Sequence, residues 1–176
     1  QIKKKTKVSN DSDFHMKVDV SAIICTHNRA VYLRKAIGSL IHQTLPRENY
    51  EIVVVDNGSS DDTAEVVRQE FGDVPALRYV HEPILGLAYA RNTGWTAAQG
   101  KYVAYLDDDA IACPNWLEKI VDVFETVNPP PGCVGGKVDL LWEGPRPHWV
   151  TDNLLPFLAH VDWSSAPIVL TGDQYL

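Results

Sequence analysis

The sequence predicts an α/β protein with a mostly parallel β-sheet flanked by helices. Short apolar runs alternate with helical segments four times between residues 18 and 127. This alternation is typical of βαβ units and therefore of a parallel sheet. In addition, the second apolar run is apolar at the consecutive positions 52–55, as expected for a strand that is buried on both faces.

The first two units are predicted from periodicity and composition. Residues 18–25 are rich in β-branched side chains and predict a strand, and residues 31–43 place apolar side chains at helical spacing. Residues 51–55 predict the second strand. The next helix is expected to begin after a cap at Asp61 or Asp62.

The last two units follow the same rhythm, which then changes. Strands are expected at residues 77–80 and 102–106, with helices at 87–98 and 116–127. Beyond the prolines at 129–131, the sequence predicts a further strand at 133–141, a stretch rich in Pro and Trp, and a short strand at 168–170.

Composition excludes several classes of protein. The 176 residues include 16 basic and 23 acidic side chains, a net charge of −7, which argues against nucleic acids and anionic membranes as partners. The three cysteines have no metal-type spacing and predict a reduced, cytoplasmic protein. No apolar run reaches the roughly 20 residues of a membrane span, and no signal peptide is recognisable.

The N-terminal segment differs from the rest of the chain. Residues 1–17 are rich in lysine and lack apolar periodicity, and the only methionine is Met16. This pattern predicts a disordered or vector-derived tail, with a native basic tail as the alternative.

Polar and charged side chains follow all four predicted strands. Ligands of open parallel sheets bind at the carboxyl ends of the strands, so these residues predict one binding site. They are Thr26, His27, Asn28 and Arg29 after the first strand, Asp56 and Asn57 after the second, Arg91 beyond the third, and Asp107, Asp108 and Asp109 after the fourth.

The three consecutive aspartates are the sharpest signal. Adjacent carboxylates repel one another, which indicates a bound cation, and oxygen ligands of this kind suit Mg²⁺ or Mn²⁺. Strand alternation predicts that Asp107 and Asp109 lie on one side and Asp108 on the other. The alternative is a solvated acidic turn before the helix at Trp116.

The other candidates each have a structural alternative. Asp56 could accept hydrogen bonds from a nucleotide base or a ribose hydroxyl. His27 could pack on a base or serve only as a structural histidine, and Arg91 could bind phosphate or be a surface cation.

Four motifs together resemble those of the inverting family 2 glycosyltransferases. They are THNR at 26–29, VVDNGSSD at 54–61, GLAYARNTG at 86–94 and YLDDDA at 105–110. The resemblance implies the Rossmann-like GT-A fold and a nucleotide-diphosphate-sugar donor, usually a UDP-sugar. It also implies a Mn²⁺ or Mg²⁺ cofactor and an acceptor with a hydroxyl group, such as a carbohydrate.

The resemblance also implies roles for individual residues. Thr26 and His27 would border the base, and Asp56 would hydrogen-bond it. Arg29 and Arg91 would lie near the base or the diphosphate. Asp109 would be the main metal ligand, while Asp107, a second candidate ligand, and Asp108 would share contacts to the ribose and around the metal. The neighbouring Asn28 and Asn57 complete the predicted substrate-binding set.

The chain departs from the family pattern at the catalytic base. Family members carry this Asp or Glu well after the metal motif, and the sequence offers only Asp173 as a weak candidate, with Asp152 and Asp162 weaker still. The base is therefore expected beyond Leu176. Residues 18–128 would be the nucleotide-sugar-binding region, and residues 129–176 the beginning of an incomplete acceptor-side region.

Two other functions are compatible with parts of this pattern. One is a non-catalytic nucleotide-sugar-binding module, which the missing base allows. The other is a metal-dependent nucleotidyltransferase, although the segment from Cys25 to Ala30 contains none of the glycines that such enzymes carry after the first strand.

Overall fold

A computed structural model describes residues 3–4, 18–162, 164, 166 and 168. The chain divides into two compact units, Gln1–Val134 and Gly135–Leu176. The predicted site residues from Thr26 to Asp109 all belong to the first unit.

The described residues of the first unit form a five-stranded sheet, and its four longer strands are parallel. Strand order is β1-β5-β2-β3-β4, where the two-residue β1 pairs with β5 in antiparallel fashion. The mostly parallel sheet is therefore confirmed. The strands are β1 (Lys3–Lys4), β2 (Val20–Thr26), β3 (Tyr50–Asp56), β4 (Leu77–His81) and β5 (Tyr102–Asp107).

Strand β1 lies in the N-terminal segment. Lys3–Lys4 pairs through its backbone with Val103 and Tyr102, and the tail predicted for residues 1–17 stays a prediction. Residues 5–17 lie outside the described residues.

Four helices cover both faces of the sheet. One face packs against α3, and the other packs against α1, α2 and α4. Because both faces are covered, β3 is buried at every position, which explains its run of consecutive apolar residues. The helices are α1 (Ala30–Ile41), α2 (Thr63–Glu70), α3 (Leu87–Ala97) and α4 (Trp116–Thr126).

The order of the strands creates a crevice beside β2. Strands β3 and β4 lie on one side of β2, whereas the last strand, β5, crosses over and pairs with its other side. Helix α1, which follows β2, packs on one face of the sheet, whereas α3, which precedes β5, packs on the other face. Such a switch point is where open α/β sheets bind ligands.

The turn before α2 resolves the choice between two aspartates. Asp61 Oδ1 accepts a hydrogen bond from the backbone N–H of Thr63 at 3.0 Å, whereas Asp62 makes no capping hydrogen bond. Asp61 Oδ2 also accepts the N–H of Ala30 at 3.2 Å. One carboxylate thus links the starts of α1 and α2.

Gly94 allows α3 to approach the sheet closely. A Cβ atom at this position would lie 2.6 Å from Ile23 Cγ2 and 3.2 Å from Val55 Cγ2. Because branched side chains of buried strands have little freedom to move, we expect Gly94→Ala to lower the free energy of unfolding by about 1–3 kcal/mol. Urea denaturation measures this loss.

Gly38 provides the matched control for this prediction. It lies in α1, and the position that a methyl group would occupy there is open space, with no neighbouring atom within 4 Å. Gly38→Ala should therefore stabilise the protein by about 0.5–1 kcal/mol through helix propensity alone. Equal stability of the two alanine variants would refute the close packing of α3.

The second unit has little regular structure among its described residues. The strand predicted at 133–141 is wrong, because this segment contains only an isolated bridge between Val138 and Val161. Residues 135–139 are exposed, and a strand requires a row of backbone partners that only Val138 finds here. A 3₁₀ helix follows at Asp152–Leu158. Of the strand predicted at 168–170, residues 169 and 170 lie outside the described residues.

No helix among the described residues is long and apolar enough to cross a membrane.

Candidate functional site

An open cleft of about 400 Å³ lies at the carboxyl ends of β2 and β5. Eight of the ten predicted site residues line it, and the exceptions are Asn28 and Asp56. The lining residues are Cys25, Thr26, His27, Arg29, Asn57, Leu87, Ala90, Arg91, Asp107, Asp108 and Asp109.

Arg29 joins two of the three aspartates. Its Nη1 atom donates to Asp108 Oδ1 at 3.2 Å and to Asp109 Oδ2 at 2.7 Å. The prediction that strand alternation separates these two carboxylates is therefore wrong. Strand β5 ends at Asp107, and the chain then turns, so the alternation stops before Asp108.

Asp108 is the buried member of the three. Thr26 Oγ1 donates to Asp108 Oδ2 at 2.8 Å, so β2 fixes this carboxylate directly. Burial raises the pKa of Asp108, while the Thr26 hydrogen bond and the charge of Arg29 act in the opposite direction. The hydrogen bond to Asp109 raises the pKa of Arg29, which stays cationic at all physiological pH values.

Asp107 and Arg91 form the outer, loosely held part of the cleft. The Asp107 side chain is 77% exposed, and Arg91 Nη2 lies 3.8 Å from its Oδ1 atom. The Arg91 guanidinium lies 6.0 Å from the centre of the Tyr105 ring. Neither side chain is fixed by a short hydrogen bond to the other.

The opposite wall of the cleft is held by hydrogen bonds of Asn57. Its Nδ2 atom donates to the carbonyl groups of Glu82 and Ile84 at 3.1 and 2.7 Å, and its Oδ1 atom accepts the N–H of Gly86 at 2.7 Å. The backbone carbonyl of Asn57 accepts a hydrogen bond from the Nδ1–H of His27 at 2.8 Å. Asn57 thus positions the loop before α3 as well as the imidazole ring.

Asn28 and Asp56 lie in the loops beside the cleft. Asn28 has a left-handed backbone with φ of 54°, and its Oδ1 atom accepts the N–H of Ser60 at 2.7 Å. Asp56 is 2% exposed. Its two oxygens accept hydrogen bonds from Ser59 N–H at 2.9 Å and the Tyr79 hydroxyl at 2.6 Å.

Three lining residues were not predicted from the sequence. Leu87 and Ala90 belong to the first turn of α3, and Cys25 is the next-to-last residue of β2. Burial raises the pKa of the Cys25 thiol to about 12, so it is not a nucleophile at neutral pH. The sequence signals were the GLAYARNTG motif for Leu87 and Ala90 and the position at the strand end for Cys25.

The aspartates fit a metal ion that is bound together with an anionic ligand. Among the described residues, no group of three or more His, Cys, Asp or Glu side chains is arranged to hold a metal ion. Mg²⁺, however, usually takes only one or two carboxylates together with substrate phosphates. The exposed carboxylates of Asp107 and Asp109 at the cleft could serve as such ligands.

Comparison with known proteins identifies relatives of the first unit and of the segment that follows it. The sequence model of glycosyl transferase family 2 matches residues 21–152. A glucosyl-dolichyl phosphate glucuronosyltransferase from Haloferax volcanii is 32% identical over 137 residues, which cover 76% of this chain and 42% of that protein.

Two solved structures are also similar. S. aureus TarS 1–349 in complex with UDP-GlcNAc has 25% identity and a TM-score of 0.56, covering 61% of this chain and 31% of that one. The mannosyltransferase PcManGT from Pyrobaculum calidifontis, in complex with GDP-Man and Mn²⁺, has 35% identity and a TM-score of 0.51, covering 54% and 28%.

The chain spans less than half the length of each of these three proteins. The first unit of this chain has the GT-A fold of the TarS structure. Because the family match extends over most of the sequence, the chain belongs to glycosyl transferase family 2.

Proposed function

We propose that the cleft binds the nucleotide-diphosphate-sugar donor of a metal-dependent, inverting glycosyltransferase. The observation that carries this proposal is the pairing of two arginines with three aspartates around one open cleft at the sheet's switch point. The TarS structure contains UDP-GlcNAc, and the PcManGT structure contains GDP-Man and Mn²⁺.

We place the nucleotide base against the wall formed by Thr26, His27 and Asn57. The hydrogen bonds of Asn57 hold this wall in place without the ligand, which reduces the entropy that binding must overcome. Each oxygen of Asp56 already accepts one hydrogen bond, and because a carboxylate oxygen can accept two, Asp56 could also accept a base N–H.

The diphosphate would lie between the arginines and the exposed carboxylates. Asp109, with Asp107, would hold Mn²⁺ or Mg²⁺, which would supply positive charge to stabilise the departing nucleoside diphosphate. Arg29 and Arg91 would donate hydrogen bonds to phosphate oxygens, a role for which the guanidinium group is well suited.

The reaction of the whole protein would be a single displacement at the anomeric carbon by an acceptor hydroxyl. Such a displacement inverts the anomeric configuration and needs a general base. Asp173 lies outside the described residues. Asp152 is paired with Arg146 and Asp162 with Lys137 in the second unit, so no residue of this chain is assigned as the base.

Calorimetric titration tests the donor-binding proposal. We expect at least one of UDP, GDP and TDP to bind, and to bind more tightly with Mn²⁺ than with EDTA. Absence of binding by all three nucleotides would overturn the proposal, and equal affinity in both buffers would overturn its metal part.

A transfer assay separates an enzyme from a non-catalytic binding module. The full-length polypeptide is incubated with an isotope-labelled nucleotide sugar and candidate hydroxyl acceptors. We expect transfer to an acceptor or slow hydrolysis of the donor. Binding of donor without either reaction would favour the binding module.

A further inference from the structure

Arg29 forms an ion pair with Asp109, the residue that the proposed function assigns as the main metal ligand. Its shorter contact, 2.7 Å, is to Asp109, and its longer contact, 3.2 Å, is to Asp108. The side chain is 48% exposed, and its backbone precedes the first turn of α1. The guanidinium, which already lines the cleft, can therefore leave the carboxylates without being drawn out of a buried site.

A guanidinium and a divalent ion compete for the same Asp109 carboxylate. The guanidinium lies against Oδ2, and its positive charge repels a second cation at short range. We propose that Arg29 is the internal counter-cation of the metal site, which a divalent ion must displace from Asp109 on binding. This inference rests on the proposed donor-binding function.

Asp108 does not depend on Arg29 for its position. Thr26 Oγ1 donates to Asp108 Oδ2 from a strand residue that is itself buried. Asp108 is buried as well, and its chain follows directly from β5. Loss of the Arg29 side chain should thus leave the aspartate backbone in place while it frees the carboxylate of Asp109.

The direction in which metal affinity changes when the charge of Arg29 is removed distinguishes a counter-cation from a structural support. If Arg29 competes with the metal, removing its charge strengthens metal binding. If Arg29 instead organises the carboxylates for the metal, removing it weakens metal binding. Loss of enzymatic activity would accompany both cases and is therefore not informative.

The test is a titration of the nucleotide-free chain with Mn²⁺, followed by the electron paramagnetic resonance signal of the free ion. We expect Arg29→Gln to bind Mn²⁺ about tenfold more tightly than the wild type, since a unit charge about 5 Å from a divalent ion has an effect of this order even at the dielectric constant of water. Arg29→Lys, which keeps the charge, should stay close to the wild type.

Arg34→Gln is the matched control. Arg34 is also an exposed arginine of the α1 region, paired with Glu70, and it does not line the cleft. The substitution changes the net charge of the chain by the same amount, so it should alter Mn²⁺ affinity by less than about twofold at physiological ionic strength.

Unchanged or weaker Mn²⁺ binding by Arg29→Gln would overturn the proposal, as would a failure of both Arg29→Gln and wild type to bind Mn²⁺. Arg29→Met serves as a second neutral variant if the first does not fold. A parallel titration with UDP and GDP separates this inference from the proposed function. Tighter Mn²⁺ binding by Arg29→Gln without nucleotide binding would support the counter-cation role and refute the donor site. Nucleotide binding without tighter Mn²⁺ binding by Arg29→Gln would support the donor site and refute the counter-cation role.

Discussion

Replacing Asp109 by alanine is expected to abolish the gain in nucleotide affinity that Mn²⁺ provides. The Asp109 side chain is 51% exposed beside the cleft, so its carboxylate can contact a metal ion without a buried charge being created. Divalent ions of this type bind few protein carboxylates, and each one therefore contributes strongly to affinity. In titrations of the variant, the nucleotide affinity in Mn²⁺ should differ from the affinity in EDTA by less than about twofold, which is about 0.4 kcal/mol.

Two further variants make this result specific. Asp109→Asn keeps an oxygen that can accept the Arg29 hydrogen bond but removes the charge, and it should also lose most of the Mn²⁺ effect. Asp122→Ala removes one carboxylate from the surface of α4, outside the cleft, and should keep the effect. If Asp109→Ala retains the full Mn²⁺ effect, Asp109 is not a metal ligand.

Replacing Glu51 by alanine is expected to cause the largest loss of stability, about 3 kcal/mol. The Glu51 carboxylate is only 3% exposed and accepts two hydrogen bonds from Arg78 at 2.9 and 2.7 Å. Its other oxygen accepts the Ser21 hydroxyl at 2.5 Å and the N–H of Gln99 at 2.6 Å. The substitution removes the charged acceptor shared by a cation and two polar groups, and leaves Arg78 with the Ala97 carbonyl at 2.6 Å and the Gln99 N–H with Ser21 Oγ at 3.2 Å. Chemical denaturation measures the loss.

Glu70→Ala is the matched control for this second prediction. Glu70 also accepts two hydrogen bonds from an arginine, Arg34, but both side chains are more than 40% exposed. Exposed pairs contribute about 0.2–1 kcal/mol, so the variant should remain nearly as stable as the wild type. A loss for Glu51→Ala no larger than that for Glu70→Ala would contradict the importance of the buried pair.

Apolar periodicity in the sequence was sufficient to predict the strands and helices of the first unit. The four longer strands and four helices of the first unit appear near their predicted positions because apolar periodicity records which side chains are buried. The segment at 133–141 carries the same apolar signal without forming a strand. Strand formation there depends on a backbone partner, and composition does not reveal whether one is present.

The candidate site was predictable as a set of strand ends but not as a set of contacts. Topology brings the residues after β2 and β5 to one cleft, which the alternation of elements already implied. The Arg29–Asp109 pair joins positions 80 residues apart, and the burial of Asp56 depends on Tyr79 from the neighbouring strand. Long-range contacts of this kind are set by packing, which local sequence patterns do not record.

The two walls of the cleft differ in how firmly their side chains are held, and this difference bears on the kinetics of ligand association. The Asn57 wall has its hydrogen bonds complete before any ligand arrives, so a molecule that docks there meets a surface that needs no rearrangement. The wall with Arg29, Arg91 and the aspartates must exchange ion pairs first. The rate at which a ligand first docks on the Asn57 wall would be set by diffusion and shape. The rate of the second step, in which the ligand replaces the ion pairs of the other wall, would vary with ionic strength.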